Sequence, residues 1–561
     1  MKFLGRVIGH IDGGLERYFS KKWHWAITIP AVLLTLFAAY FIFCFSTEKY
    51  TTTGFRSSGA NIAALVVGIL IIAAMVLYFV LEIVHSRLTG RKTAWVFIVI
   101  ASVCLCLWGF QHALNLSHHH DSSALSGGGH WSIIYDIYAT GEIPPVNLYN
   151  QYYQPKLYHW IIAMLMRFND AFINIGDKLV ATNQAQAKAY PLYTISAYHA
   201  LELTRVFMVA LGILSFYSIY RIFLGLGLSD KKVGLATAIT VLIPEFWFIQ
   251  FFMNNDGLAC SLALFALALA LEFKRKEHIV PLLGSAVSLG LAMMAKLNSA
   301  FIAVPMAFIF LYVLVKKIRE NKENKKAILT LVGKFALFAV IVFPLGLWTP
   351  ISYKIQYGMP IGYVLDLTPT QQDKENYGMF IDPTFYNFFE RCFPYPSSDL
   401  FTSAFNYRWR HKVNGVYINE YGVIDYNCWT AFFKTGFFDE WDDFFANQGY
   451  LAGGLLVAGM YIEALLAYVS IIIFLGYAFV YIRDRLWRQN LFAPATLVIL
   501  AGTMAIDYVY FVNRYPVGCS QNARYIMPMF IPIQGFIATW ICDLTDRLKR
   551  VHAENSSAQA N

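Results

Sequence analysis

Apolar residues run in long blocks separated by polar connections, and the blocks recur at 25–45, 61–84, 94–110, 200–224, 233–252, 257–273, 279–295, 300–315, 329–348, 455–482, 491–512 and 525–544. About 20 consecutive apolar residues cross the hydrocarbon core of a bilayer. The pattern therefore predicts an all-α polytopic membrane protein with about twelve transmembrane helices, of which 257–273 and 279–295 are short for the task. Most connections are hairpin length. Two are not: 111–199 and 350–454 are long, rich in aromatic residues, and on this topology lie on one side of the membrane. The chain divides accordingly into an amino-terminal tail with two helices (1–93), a core with the first long loop (94–349), the second long loop (350–454), carboxy-terminal helices (455–544) and a tail (545–561).

An apolar content of 57% excludes a soluble globular chain. The net charge of +9 does not call for nucleic acid, because more than half of the 44 Lys and Arg fall in the tails and in alternate short connections. The densest is KKIRENKENKK at 316–326. Short basic connections stay in the cytoplasm. Both termini are thus expected inside a multi-pass cell-membrane protein, with both long loops outside. Lys21 and Lys22 precede the first run, but it is long for a signal core and no small-residue cleavage site follows. Of the eight cysteines, Cys392, Cys428 and Cys519 lie outside apolar runs. A Cys392–Cys428 disulfide and unpaired structural thiols are both open.

Within the first long loop, Trp131, Ile134, Tyr135 and Tyr138 repeat at helical spacing, as do Leu157, Trp160, Ile161, Met164 and Leu165. Neither stretch is long enough to span, and both suit helices lying at the interface. The run HWSIIYDIYATGEIPP, followed by YNQYYQPKLYHWIIAML, resembles the first periplasmic loop of polyprenyl-phosphate-sugar-dependent glycosyltransferases with the GT-C fold. Within that group it is similar to family 39, which includes protein O-mannosyltransferases and aminoarabinose transferases. FFMNNDGLACSLALFALALALEFKRK, LGLAMMAKLNSAFIAVP and NARYIMPMFIPI agree in order and placement. The resemblance covers about 95–545, and the helices at 25–45 and 61–84 exceed the family core.

The resemblance implies a GT-C-like bundle that moves a hexosyl or pentosyl group from a polyprenyl-phosphate carrier to an extracytoplasmic glycan, lipid or protein. An acid in the first outer loop would be the general base on the acceptor hydroxyl, and cations would stabilise the leaving phosphate. Asp121, in SHHHDSSALSGGG, takes the base role by neighbourhood: aligning on Thr140, Gly141 and Glu142 puts Gly127 and Gly128 where the family has its acidic pair. A solvated loop acid is the ordinary alternative, and Asp136 is the reserve candidate. Lys156, Asn255, Asp256, Lys296, Arg514 and Arg524 are the candidate substrate and phosphate ligands, since each stands close to an outer helix end. Their ordinary readings are a snorkelling or anchoring cation and, for Asn254–Asp256, a turn and helix cap.

No cofactor or metal is expected. His118, His119 and His120 beside Asp121 lack a ligand spacing, although some GT-C enzymes use a divalent ion. A transporter or flippase for lipid-linked glycans is one rival reading, disfavoured by the absence of a visible repeat and the scarcity of intramembrane charge. A non-catalytic subunit of the same fold is another.

Overall fold

A computed structural model of the chain describes parts of 70–83 and the segments 89–111, 130–146, 153–173, 205–250, 254–320, 324–361, 386–401, 407–423, 425–438, 450–483 and 491–560, apart from positions 360, 414, 415 and 517. The run expected at 25–45 and most of that at 61–84 lie outside the described residues. Seven of the described helices are long and apolar enough to cross a membrane. The fold is an all-α membrane bundle with one small hairpin added.

In chain order the helices are α1 (Thr89–Gln111), α2 (His130–Thr140), α3 (Leu157–Ile173), α4 (Arg205–Leu226), α5 (Asp230–Val241), α6 (Glu245–Phe248), α7 (Asp256–Lys276) and α8 (Ile279–Ala295). They continue with α9 (Ala303–Glu320), α10 (Lys325–Tyr357), α11 (Phe388–Cys392), α12 (Cys428–Phe438), α13 (Tyr450–Arg483), α14 (Phe492–Arg514) and α15 (Phe530–Ala560). Strands β1 (Tyr407–Val413) and β2 (Val416–Val423) form an antiparallel hairpin inside the second long loop, where no strand was expected.

Helix α7 is the axis of the bundle, with α4 and α8 packed against it. It is apolar on every side, as a helix enclosed by others must be, and its alanines let neighbours approach. Glycines do the same elsewhere. A Cβ on Gly90 would lie 2.0 Å from the Asp230 carbonyl oxygen, and one on Gly234 would lie 2.2 Å from that of Gly90. The α1–α5 crossing is therefore backbone on backbone.

The run 233–252, expected as one span, is broken. Pro244 has no N–H to donate and disfavours helix in the residue before it. Helix α5 stops at Val241, and the Trp247 indole donates to the Val241 carbonyl that the break leaves free (2.7 Å). The turn at 254–256 therefore follows the short α6 rather than a full span. Helix α10, by contrast, runs past the expected loop boundary at 350 to Tyr357, carrying Pro344 and Pro350 within it. It ends on Gly358 (φ 68°), whose N–H donates to the Lys354 carbonyl.

The second long loop covers part of the bundle and packs into its main core. Asn427 caps α12 by accepting from the Trp429 and Thr430 N–H groups. Every residue of α12 is buried. Phe432 stacks on Phe530 of α15 (4.5 Å between centroids), and Tyr508 of α14 meets both Phe432 and Trp429. These aromatics are core. Asp439–Asp443 lie outside the described residues. Cys392 and Cys428 are both buried and free, so the possible disulfide is not formed.

Candidate functional site at the outer end of α7

Four elements converge where α7 begins. The first is the turn Asn254–Asp256: Asn254 accepts from the Asp256 N–H (3.0 Å), and Asn255 donates to the Ala295 carbonyl at the end of α8 (2.6 Å). That second bond ties the start of α7 to Lys296, which leaves α8 in extended backbone (φ −154°, ψ 123°). The extended residue turns its ammonium back to donate to the Asp256 carboxylate. The second element is the 3-10 turn Leu297–Ile302. The third is the 3-10 turn Ala523–Met529, held from above by α12: the Ala523 N–H donates to Thr435 Oγ1 (2.9 Å). The fourth is α14.

Lys296 and Arg524, 228 positions apart, meet on one aromatic ring. The Lys296 ammonium lies 4.7 Å and the Arg524 guanidinium 5.1 Å from the centroid of Tyr525. Asn298 fixes that segment by donating to the Tyr525 carbonyl (3.4 Å).

Between these elements is a small cleft, lined by Asp256, Asn298, Ser299, Asp507, Arg524 and Tyr525 together with Ala259, Cys260, Ala263, Ile302, Met504 and Pro528. The lining is layered. On α7 Asp256 precedes Ala259 and Ala263, and Asn298 and Ser299 precede Ile302. Met504 lies one turn deeper on α14 than Asp507, and Arg524 and Tyr525 precede Pro528. Each element is polar at the outer end and apolar about one helical turn, roughly 5 Å, further in.

Next to the cleft, α2 and α3 pack on the same end of α7 through Ile133, Ile137, Ile162, Leu258, Ala259 and Ala295. Their contact holds a pair that the sequence reading missed. His130 Nδ1 and His159 Nε2 are 2.8 Å apart, with both rings buried. Burial first, then the charges of Lys296, Arg524 and Lys156, push His130 well below its usual range. Burial, His130 and Lys156 do the same to His159. Both rings are neutral at pH 7. Burial also brings the Lys156 ammonium down to about 7.

On α3 the stripe read from the sequence, Leu157, Trp160, Ile161, Met164 and Leu165, is half-buried apart from Trp160, which is 44% exposed. The buried face is Tyr158, His159, Ile162, Ala163 and Met166. In an apolar surrounding the greasier face can look outward, while a face carrying a histidine must find a polar partner inside.

Of the residues singled out in the sequence, Asp256 and Arg524 line the cleft, Lys296 borders it through its ion pair with Asp256, and Lys156 acts electrostatically on the neighbouring histidine pair. Asn255 braces the turn instead of lining the cleft. Asp136 is half-buried on α2. Arg514 ends α14, exposed, and is not among the lining residues. Asp121 and His118–His120 lie outside the described residues. Among those described, no group of three or more His, Cys, Asp or Glu could hold a metal ion. Asp507, an acid within an apolar helix, was not singled out, although an ionisable residue in a span is itself a signal of function.

Residues 196–348 match the family model for dolichyl-phosphate-mannose-protein mannosyltransferase. That stretch holds Asp256 and Asn298 of the cleft, and Lys296 beside it. Asp507, Arg524, α2 and α3 lie beyond it. No curated protein and no solved structure matches the chain. Over residues 196–348 the chain thus matches a family 39, GT-C-type domain, and that match points to a membrane glycosyltransferase of the GT-C type.

Proposed function

We propose that the protein transfers a hexosyl or pentosyl group from a polyprenyl-phosphate carrier to an acceptor outside the cell membrane, with the cleft as the carrier site. The layering of that cleft carries the reading. A polyprenyl phosphate is an apolar chain ending in an anion, and the cleft offers an apolar floor below Arg524, with Lys296 at its edge. Lys296 is ion-paired with Asp256. An entering phosphodiester competes for that ammonium while Arg524 offers a guanidinium fork suited to phosphate oxygens.

The chemistry is a single inverting displacement. The acceptor hydroxyl oxygen bonds to the anomeric carbon, and the bond from that carbon to the phosphate oxygen breaks. The carrier leaves as a phosphate with one more negative charge, which Lys296, Arg524 and Lys156 are placed to stabilise. The hydroxyl proton goes to a carboxylate, for which we assign Asp121, with Asp136 in reserve. No enzyme nucleophile is needed. The acceptor is a glycan, lipid or protein on the outer side, with both long loops there and both termini in the cytoplasm, as the basic short connections support.

The test is purified protein with a panel of radiolabelled undecaprenyl-phosphate sugars, scoring carrier consumption. Release of undecaprenyl phosphate from at least one donor is expected. Intact donor across the panel, with binding of bare undecaprenyl phosphate also absent, would overturn the carrier reading.

A further inference from the structure

Asp507 is the cleft residue that the displacement above leaves unused. It sits on α14, one turn above Met504 and one residue before the buried Tyr508, and it is half-buried. Among the described residues no hydrogen bond or ion pair is formed by its carboxylate. That sets it apart from the acids at the far end of α7. Glu272, Glu277, Asp230, Asp543 and Asp546 each hold a basic partner within about 3 Å. Asp256, its neighbour in the cleft, is held by Lys296. Placing an ionisable group in an apolar helix is costly, and here only the charge of Lys296, at longer range, acts against that cost.

We propose that Asp507 is a specificity-determining residue that accepts hydrogen bonds from hydroxyl groups of the donor sugar, an assignment that rests on the carrier reading given above. Three observations lead there. A carboxylate repels a phosphate, so the phosphate belongs with Lys296 and Arg524 on the Tyr525 ring, and Asp507 is left for the part of the donor that carries no charge. That part is the sugar, which presents O–H donors. Asp507 also lines the cleft one helical turn outward of Met504, with Asn298 and Ser299 among its other polar lining residues. The two oxygens of a carboxylate can accept from neighbouring hydroxyls on one ring, and such charge-assisted bonds are about twice as strong as neutral ones. Sugars that lack a suitably placed hydroxyl leave this acid desolvated and unpaired, which is how a site rejects an analogue.

The experiment compares two probes on the full chain in lipid nanodiscs: bare undecaprenyl phosphate, and undecaprenyl-phosphate sugars from the same panel. The wild type should bind at least one sugar-bearing probe more tightly than the bare carrier. Asp507→Asn should keep its affinity for bare undecaprenyl phosphate within about threefold and lose about 10- to 100-fold for the preferred sugar-bearing probe, the range for a hydrogen bond to a charged group. Asp507→Glu should recover part of that preference, which a merely structural role would not predict. Wild type binding neither probe overturns the carrier reading and this assignment with it. Wild type showing no preference for any sugar-bearing probe, or Asp507→Asn keeping the wild-type preference, overturns the assignment alone. Equal loss of both probes in Asp507→Asn overturns it too, because the residue would then serve the carrier or the fold.

Discussion

Helix α7 has a charged cluster at each end, about 30 Å apart along 21 residues, and the two clusters are built on opposite rules. At the carboxyl end charge is plentiful and matched. Glu272 accepts from Arg221 (2.7 Å), Arg275 (2.9 Å) and Lys276 (2.7 Å). Lys317 pairs with Glu277 (2.7 Å), whose left-handed backbone (φ 48°) turns the chain into α8. Lys231 and Lys232 reach Asp546 and Asp543 on α15. Most of these groups are partly exposed, so each pair contributes roughly 0–1 kcal/mol. At the amino end charge is sparse and sheltered: two cations share an aromatic ring, and one acid stands without an ion pair among the described residues. The first cluster serves anchoring and orientation. The second, on the function proposed above, would hold charge for the carrier phosphate.

Breaking the amino-terminal cluster should cost far more than breaking the other. The largest effect is expected outside the described residues: Asp121→Asn should lower turnover about 100- to 10,000-fold, the usual range for loss of a general base, with donor binding retained. Single-turnover kinetics on purified variants measures this. A variant within about threefold of wild type, far below that range, moves the role to Asp136 or Asp256.

Lys296→Ala and Arg524→Ala should each weaken undecaprenyl phosphate binding about 10- to 100-fold, as expected for a lost charged hydrogen bond. Turnover should fall with binding. Lys317→Ala, at the other end of the axis, should leave binding unchanged. Titration in nanodiscs separates the cases, and equal losses from Lys317→Ala and Lys296→Ala would erase the contrast.

A smaller effect is expected from pH. The Lys156 ammonium titrates at about 7, and the charged form is the one that attracts phosphate. Carrier affinity should therefore fall as pH rises through about 7, and Lys156→Arg, charged throughout, should flatten the profile. The histidine pair gives the smallest signal, in stability. Both rings have pKa values below the ordinary 6.5, so below that pH the unfolded chain binds more protons than the folded one. Stability is then lost as pH falls, at up to about 1.4 kcal/mol per pH unit for each ring. Thermal unfolding of wild type and His130→Gln/His159→Gln between pH 7.5 and 5 reads the difference, where buffer values sit about one unit either side of the histidine range.

The existence of most described helices was legible in the sequence because hydrophobic length reveals it, but their ends were less so: α5 stops at Val241 and α10 runs on to Tyr357. Asp256, Lys296 and Arg524 could be nominated singly since each stands where an apolar run meets a polar turn. Their convergence on Tyr525 could not be read, because it depends on how α7, α8 and the 523–529 turn pack. Asp507 was hidden for the same reason: a run of apolar residues does not say which face meets a cleft. The His130–His159 contact needs the α2–α3 crossing, and α3 offers two apolar faces, of which periodicity favoured the less buried one. Pro244, which breaks the 233–252 run, was visible but was outweighed by the apolar residues around it.

The central claim is that a polyprenyl phosphate binds at the amino end of α7 with its chain over the apolar floor. Photo-crosslinking tests it directly, using undecaprenyl phosphate that carries a diazirine in the isoprene unit nearest the phosphate. The account predicts labelled peptides containing Ala259–Ala263, Ile302, Met504 or Pro528, with the signal competed away by unmodified carrier. Competable labelling confined to peptides around Lys274–Lys276 and Lys316–Lys317 would contradict it, and would put the carrier at the cluster read here as structural.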